Sequence, residues 1–434
     1  MSGDSELENG TVKLSRVLFA ALLLAAAVDI APAASAQAGK AADVKGLLEW
    51  NQFRGPNRDG HSPETGLLKQ WPPSGPPQVW KATGIGTGYS AVSVAGTRVF
   101  TMGETGGKSY LLALNAADGK VLWKTEVGSG GDPGNQGGGP RGTPATDGTL
   151  VFALSQGGEL ACAQAATGRL VWKKGMQAFG GNTPGWGWSE SPLLDGNVLV
   201  VSPGSSSAAV VAMNKMTGQP VWQAKVNKGT AHYTSLAVAD IGGLRQYLYF
   251  NDQVVAGFVA RTGQLAWSAD RSGQTAIAST PAYKDGMLFV SSGYGVGHTA
   301  FRLAGAGGRF QIQKAYEGKE LESHHGGFVV VGDHVYGPNN ASLVCMELKT
   351  GKVAWQDRSV GKGSVLFADG HLIVRGEGGG VALVEASPTG HKEKGRFNLA
   401  KTGGNGAWAY PVVSGGKLYL REWDNLYCYD IKAK

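Results

Sequence analysis

The feature that most constrains this chain is a tight turn with a tryptophan four residues past its glycine. Five copies share that spacing: Asp118-Gly119 to Trp123, Thr167-Gly168 to Trp172, Thr217-Gly218 to Trp222, Thr262-Gly263 to Trp267 and Thr350-Gly351 to Trp355. Successive tryptophans lie 49, 50 and 45 residues apart and then 88, which leaves room for one degenerate copy. A repeat of roughly 40–50 residues made of short strands cannot bury its own apolar face, and stacking such units around an axis gives a β-propeller. Glycine tolerates the positive φ of the turn. The tryptophan opens the outer strand, where its ring can lie against the neighbouring blade and its N–H can reach a backbone carbonyl.

A second periodic element marks the innermost strands. It occurs at Tyr89-Ser90, Thr143-Pro144, Ser191-Pro192, Tyr233-Thr234-Ser235, Thr280-Pro281, Gly326-Gly327, Gly363-Ser364 and Tyr410-Pro411, which makes eight blades. Blade five lacks the tryptophan and is expected to use Phe310 or Ile312, and blade seven reaches Phe397 instead. Blade eight ends without an outer strand, whereas Pro76-Pro77-Gln78-Val79-Trp80 is an outer strand without a blade. The expected fold is therefore an all-β, eight-bladed β-propeller with tryptophan-docking repeats, its ring closed by an N-terminal strand. Composition agrees: 69 glycines in 434 residues suit many tight turns, and 42% apolar with 17% charged residues excludes a disordered chain.

Residues 1–36 read as a signal peptide. Lys13 and Arg16 precede the apolar run Val17 to Val28, too short for a membrane-spanning helix, and Ala34-Ser35-Ala36 is a small-residue cleavage site. Residues 37–75 then form an N-terminal extension and residues 76–434 the propeller, in an exported, periplasmic setting without a transmembrane segment after cleavage. Cleavage removes two basic and four acidic residues, so the net charge rises from +7 to +9. That mild positive field favours anionic ligands, but no dense Lys/Arg run interleaved with aromatics points to nucleic acid. Cys162, Cys345 and Cys428 occupy one repeat position in blades that are not adjacent, which sets them too far apart to pair. They read as small buried hydrophobes.

The docking repeats, together with Gln52-Phe53-Arg54-Gly55-Pro56-Asn57-Arg58-Asp59-Gly60, Ser292-Gly293-Tyr294-Gly295-Val296-Gly297, His324-His325-Gly326-Gly327 and Leu426-Tyr427-Cys428-Tyr429-Asp430, carry a family resemblance. Over roughly residues 48–434 the chain resembles the PQQ-like (quinoprotein-type) β-propeller repeat family. Within it, the chain looks like an exported bacterial group similar to the outer-membrane assembly factor propeller. The resemblance implies the fold more firmly than any activity.

Ligands of a propeller sit among the loops that enter the innermost strands and those between second and third strands. Arg141, Trp188, Glu190, His325, Lys362 and Trp408 fall in such loops and form the expected cofactor-binding set. Arg141 and Lys362 would hold carboxylates of a quinone or another acidic ligand. Trp186, Trp188 and Trp408 would give an aromatic platform for a planar cofactor or a sugar, or pack on neighbouring blades. His324 and His325 are adjacent on a strand and so point apart, which argues against a shared metal. Glu190 with Asn339 or Asn340 would offer oxygens to Ca²⁺. The glycine-rich run 128–142 would serve as a lid or as a plain connection, and Trp50 to Arg54 would pack the extension on the ring.

Three functions follow. The leading expectation is an envelope scaffold that binds a small molecule or a protein partner. The resemblance implies a PQQ-dependent dehydrogenase of alcohols or sugars, with PQQ and Ca²⁺, as the alternative. The sequence lacks the adjacent cysteine pair, the funnel Asp and the Cys-x-x-Cys-His haem motif that would support it. A carbohydrate-binding propeller is the third.

Overall fold

A computed structural model describes residues 50–135 and 137–434. The expected signal peptide, residues 1–36, and its expected cleavage site lie outside the described residues. What is described is almost entirely β: eight antiparallel sheets of four strands, one of them extended by a fifth short parallel strand. Two 3₁₀ turns, Pro133–Asn135 and Met176–Phe179, are the helical pieces among the described residues. The first blade comprises Ser93–Ala95, Arg98–Thr105, Lys108–Asn115 and Val121–Ser129. The innermost strands of the next seven begin at Ala145, Leu193, Ala237, Ala282, Val329, Gly363 and Val412. The sheet that contains Val412–Ser414 takes its fourth strand from Gln78–Ala82, which pairs antiparallel with Asn425–Asp430.

The middle strands are buried on both faces, as Leu150–Leu154 is throughout, because each sheet is covered by a neighbour on either side. Outer strands expose alternate residues. Docking is regular and explains the turn glycines. Trp80 donates its indole N–H to Ala116 O at 2.9 Å, Trp123 to Ala165 O at 3.1 Å, and Trp172 to Lys215 O at 2.9 Å. Trp222 reaches Ala260 O at 3.0 Å and Trp355 reaches Ser387 O at 2.8 Å. In four of these junctions the ring lies on the turn glycine of the next blade, Gly119, Gly168, Gly218 or Gly263, where a Cβ would come within 2.5–2.8 Å of the indole.

Two docking expectations are corrected. Blade five docks through Tyr316, whose hydroxyl bonds Leu348 O at 2.6 Å and whose ring covers Gly351. Phe310 and Ile312 pack instead against the core between blades four and five. Trp267 bonds Gln246 Oε1 at 2.7 Å rather than a carbonyl of the next blade. Blade five replaces the Thr-Gly turn with a Gly307-Gly308 hairpin between Gly297–Ala306 and Arg309–Gly318, so no turn lies in reach to be covered. Phe397 packs on Trp71 at 5.6 Å and Tyr429 at 5.2 Å, over Gly75.

The three cysteines are buried and unpaired. Each lies opposite an aromatic residue on one side and a docking Trp on the other: Cys162 between Phe152 and Trp172, Cys345 between Tyr336 and Trp355, Cys428 between Tyr419 and Trp80.

Residues 50–62 fasten onto the innermost strands. Trp50 bridges Val94, Thr146 N–H donates to Asn51 O, and the Gln52 side chain exchanges bonds with both Leu194 N–H and O. Arg58 donates to Leu236 O at 2.6 Å, Pro192 O at 3.1 Å, Ser191 O at 3.0 Å and Gln52 Oε1 at 3.3 Å. Arg54 reaches Phe328 O, and His61–Ser62 adds in parallel to Gly363–Ala368. Arg54 and Arg58 both take a left-handed backbone, φ 62° and 58°, which folds the segment into two compact turns. The segment satisfies inner-edge carbonyls of blades two, three, four and six that would otherwise be buried without donors.

Candidate functional site

The loops entering the innermost strands converge on one cavity holding about 950 Å³ of space, open solvent at its mouth included. That is the scale of a small-molecule site. All eight blades contribute to its wall, and Phe53 of the N-terminal segment reaches it too, edge-on to Tyr410 at 5.6 Å.

Aromatic rings make up much of the wall. Trp186 stacks on Tyr233 at 5.0 Å and 16°, with Tyr294 at 6.3 Å. Tyr89 lies against Trp408 at 4.5 Å. The Arg141 guanidinium sits 5.3 Å from the Tyr89 ring and 6.0 Å from the Trp408 ring, a cation–π position on both. Its nitrogens donate to Trp186 O at 3.1 Å and Gly137 O at 3.0 Å, so the glycine-rich run is tied down beside the cavity at that point. Burial lowers the Arg141 guanidinium from its ordinary value, opposed by Tyr89 and then Asp132.

Across the cavity Lys362 Nζ lies 3.1 Å from Glu377 Oε2, and Trp408 Nε1 donates to Glu377 Oε1. Burial pushes Glu377 upward, but the Trp408 N–H, the neighbouring His325 and Lys362 together hold it below the usual carboxylate range. His325, 6.3 Å from Trp408, is pushed down to about 4 by burial, opposed by Glu377 and reinforced by Lys362, so it is neutral at pH 7. His324 is also lowered, by burial and then Lys362, and faces Glu322 at 3.3 Å and Tyr294 at 4.8 Å.

Arg141, His325, Lys362 and Trp408 are therefore brought together, whereas Trp188 and Glu190 are not. Trp188 is 1% exposed and packs with Phe152, Met176 and Leu199 in the core between blades two and three. Glycine 187, at φ 76°, turns the chain so that Trp186 takes the cavity and Trp188 the core. Glu190 is equally buried, accepts Ser202 N–H at 2.8 Å and acts electrostatically on Arg58. Burial pushes it up to about 7. Nor do Glu190 and Asn339 meet: Asn339 caps its own loop, accepting Ala341 and Ser342 N–H at 3.0 and 2.8 Å. Among the described residues no three His, Cys, Asp or Glu side chains gather to hold a metal.

A family model described as outer membrane protein assembly factor BamB matches residues 107–357. The chain belongs to this PQQ-like β-propeller family. Among curated relatives, an outer membrane protein assembly factor BamB of Xanthomonas campestris is 28% identical over 222 residues, 50% of this chain and 48% of that protein. A tetrathionate hydrolase of Acidithiobacillus ferrooxidans is 25% identical over 270 residues, 56% of this chain and 48% of that one. The chain spans about half the length of the curated relatives it matches. Among solved structures, BamB from Moraxella catarrhalis superposes with a TM-score of 0.54 at 16% identity, over 76% of this chain and 95% of that one. A quinohemoprotein alcohol dehydrogenase from Comamonas testosteroni gives 0.51 at 13% identity, over 89% and 81%. Both show the shared fold. No helix among the described residues is long and apolar enough to cross a membrane.

Proposed function

We propose that this chain is an exported binding propeller of the cell envelope, which holds a small molecule in the axial cavity and presents its ring to a protein partner. One observation carries the small-molecule part: loops from all eight blades deliver aromatic rings, Arg141 and Lys362 to a single cavity. A scaffold needing only its rim would have no use for that convergence. The relatives that are outer membrane protein assembly factors support the envelope setting and the protein partner.

The quinoprotein dehydrogenase alternative draws on the fold, and the residues present do not fit a quinone held with Ca²⁺. The carboxylate at the cavity, Glu377, is already engaged by Lys362 and Trp408, and Glu190 is turned away. A base for substrate deprotonation would have to be found among the same engaged groups.

The test is calorimetric titration of residues 37–434 with pyrroloquinoline quinone, with and without Ca²⁺, alongside Arg141→Ala and Trp408→Ala. Saturable Ca²⁺-independent binding that both variants weaken at least tenfold is the expected result. Binding that strictly requires Ca²⁺ would restore the dehydrogenase alternative. Capture from envelope extracts with the intact chain addresses the partner, and a folded chain that retains no envelope protein would remove that half of the proposal.

A further inference from the structure

Every outer strand carries a β-bulge at the same step, where the residue just before the docking position has no partner on the third strand. A bulge re-aims the side chain at that point. In four consecutive blades the residue is a large aliphatic: Val79 in blade eight, then Leu122, Val171 and Val221 in blades one to three, 43–55% exposed. Blades four to six carry Ala266, Ala315 and Ala354 there, and blade seven Lys394. A methyl group therefore satisfies the fold at this step, and the four aliphatics are exposed without a structural need. Nine large apolar side chains are exposed among the described residues, and seven of them lie on the outer strands of these four blades or in the turns leading into them. Single exposed aliphatics are ordinary, whereas a clustered set marks a contact surface.

Charge follows the same sector. The residue after the docking ring is Lys81 in blade eight, Lys124 in blade one and Lys173 in blade two, all exposed, whereas blades three to six carry Gln223, Ser268, Glu317 and Gln356 there. Lys81 and Lys124 lie 5.1 and 4.2 Å from the Tyr427 and Tyr110 rings, contacts that leave their charge uncancelled. Neighbouring Lys108 and Lys120 pair with Glu126 and Asp118, but no ion pair among the described residues involves Lys81, Lys124 or Lys173. Because the bulge recurs at one step of the repeat, these side chains lie at one level around the ring. The turns beside them join third to fourth strands, at the end of the blades opposite the loops that form the cavity. A flat body set against that side meets several blades at once, and uncancelled lysines beside aliphatics suit a flat body that is apolar within and anionic at its surface.

We propose that the sector formed by blades eight, one and two, with Val221 at its margin, is a docking surface for an anionic lipid bilayer. Val79, Leu122 and Val171 enter the headgroup region, and Lys81, Lys124 and Lys173 meet lipid phosphates. The inference stands apart from the cavity and adds an orientation to the binding reading, with the cavity mouth turned away from the lipid.

The test is flotation of residues 37–434, which contain every described residue, with vesicles of phosphatidylglycerol and phosphatidylcholine in equal parts and with phosphatidylcholine alone. Two triple variants install what other blades already carry: Val79→Ala with Leu122→Ala and Val171→Ala, and Lys81→Gln with Lys124→Gln and Lys173→Gln. Arg309→Gln with Lys349→Gln and Lys352→Gln removes the same charge from blades five and six. The expected result is binding about tenfold tighter to the anionic vesicles that weakens as salt rises, lost about tenfold in either sector variant and kept in the third. Equal binding to both vesicles, equal loss in the blade-five and blade-six variant, or an unchanged affinity in the alanine variant would each overturn the proposal. So would indifference to vesicles together with capture of an envelope protein that both sector variants abolish, which would give the surface to a protein. Thermal unfolding identifies any variant that has lost its fold, and quinone titration of the same variants reads the cavity separately, so failure here leaves the cavity reading untouched.

Discussion

Gly263 offers a direct measure of what the docking tryptophans contribute. It has φ +73°, and a Cβ there would lie 2.5 Å from Cε3 and 2.7 Å from Cδ2 of Trp222. Gly308, in the blade-five hairpin, has nearly the same backbone, φ +79°, but nothing within 4 Å. Gly308→Ala should therefore show the left-handed backbone cost alone, about 1 kcal/mol. Gly263→Ala should add the displacement of a docked ring, about 1–3 kcal/mol more. Trp222→Leu removes the ring and its 3.0 Å bond to Ala260 O, a loss of about 2–4 kcal/mol by itself. In that background Gly263→Ala should fall back to the cost seen at Gly308, because its clash partner is gone. Urea unfolding followed by far-ultraviolet circular dichroism, with slopes compared across variants, reads all four differences. Equal losses at Gly263 and Gly308, or a Gly263 loss that persists without Trp222, would refute the argument that the ring is what requires glycine.

Other consequences are as direct. Arg58→Ala leaves three blade carbonyls without their donor and should cost about 3–5 kcal/mol, read as a lower unfolding midpoint and faster cleavage near residue 60 in limited proteolysis. Glu190 is raised from 4.5 to about 7 by burial, so between those values the folded chain keeps a proton that the unfolded chain has lost. Stability should accordingly fall as pH rises from about 4.5 to about 7 and level off above, and Glu190→Gln should flatten that slope in pH-dependent urea titrations. Burial pushes the thiols of Cys162 and Cys428 up to about 12 and Cys345 to about 11, so none should react with a thiol reagent at pH 8 until the chain is unfolded.

The blades were legible because their signals are local. A Thr-Gly turn and a tryptophan at fixed spacing define a hairpin and its docking ring without reference to anything distant. Tyr316 escaped because its place follows a longer hairpin that breaks the spacing. The cavity was half legible. Loop position indicated Arg141, His325, Lys362 and Trp408, but choosing between Trp186 and Trp188 depends on how the chain turns at Gly187, which spacing does not encode. Glu377 and Tyr294 sit in loops between second and third strands, within Gly376-Glu377-Gly378-Gly379 and Ser292-Gly293-Tyr294-Gly295. The glycines flanking a lone large or charged residue were the available signal there. The roles of Arg54 and Arg58 were not legible, because nothing in a nine-residue motif reveals that its guanidinium groups satisfy carbonyls of blades more than 130 residues away.

Those long reaches bear on the order in which the molecule can assemble. The four blade strands of each of blades one to seven are consecutive and can form as the chain is delivered. Residues 50–62 have partners from Val94 to Val413, and Gln78–Ala82 has its partner at Asn425–Asp430. The segments delivered earliest must therefore wait for the latest. Until about residue 430 is available, the inner carbonyls stay wet and the cavity that all eight blades line is incomplete. Assembly of this ring should be slow at its last step and all-or-none in its product, and a chain halted a few dozen residues short would carry folded blades but no site.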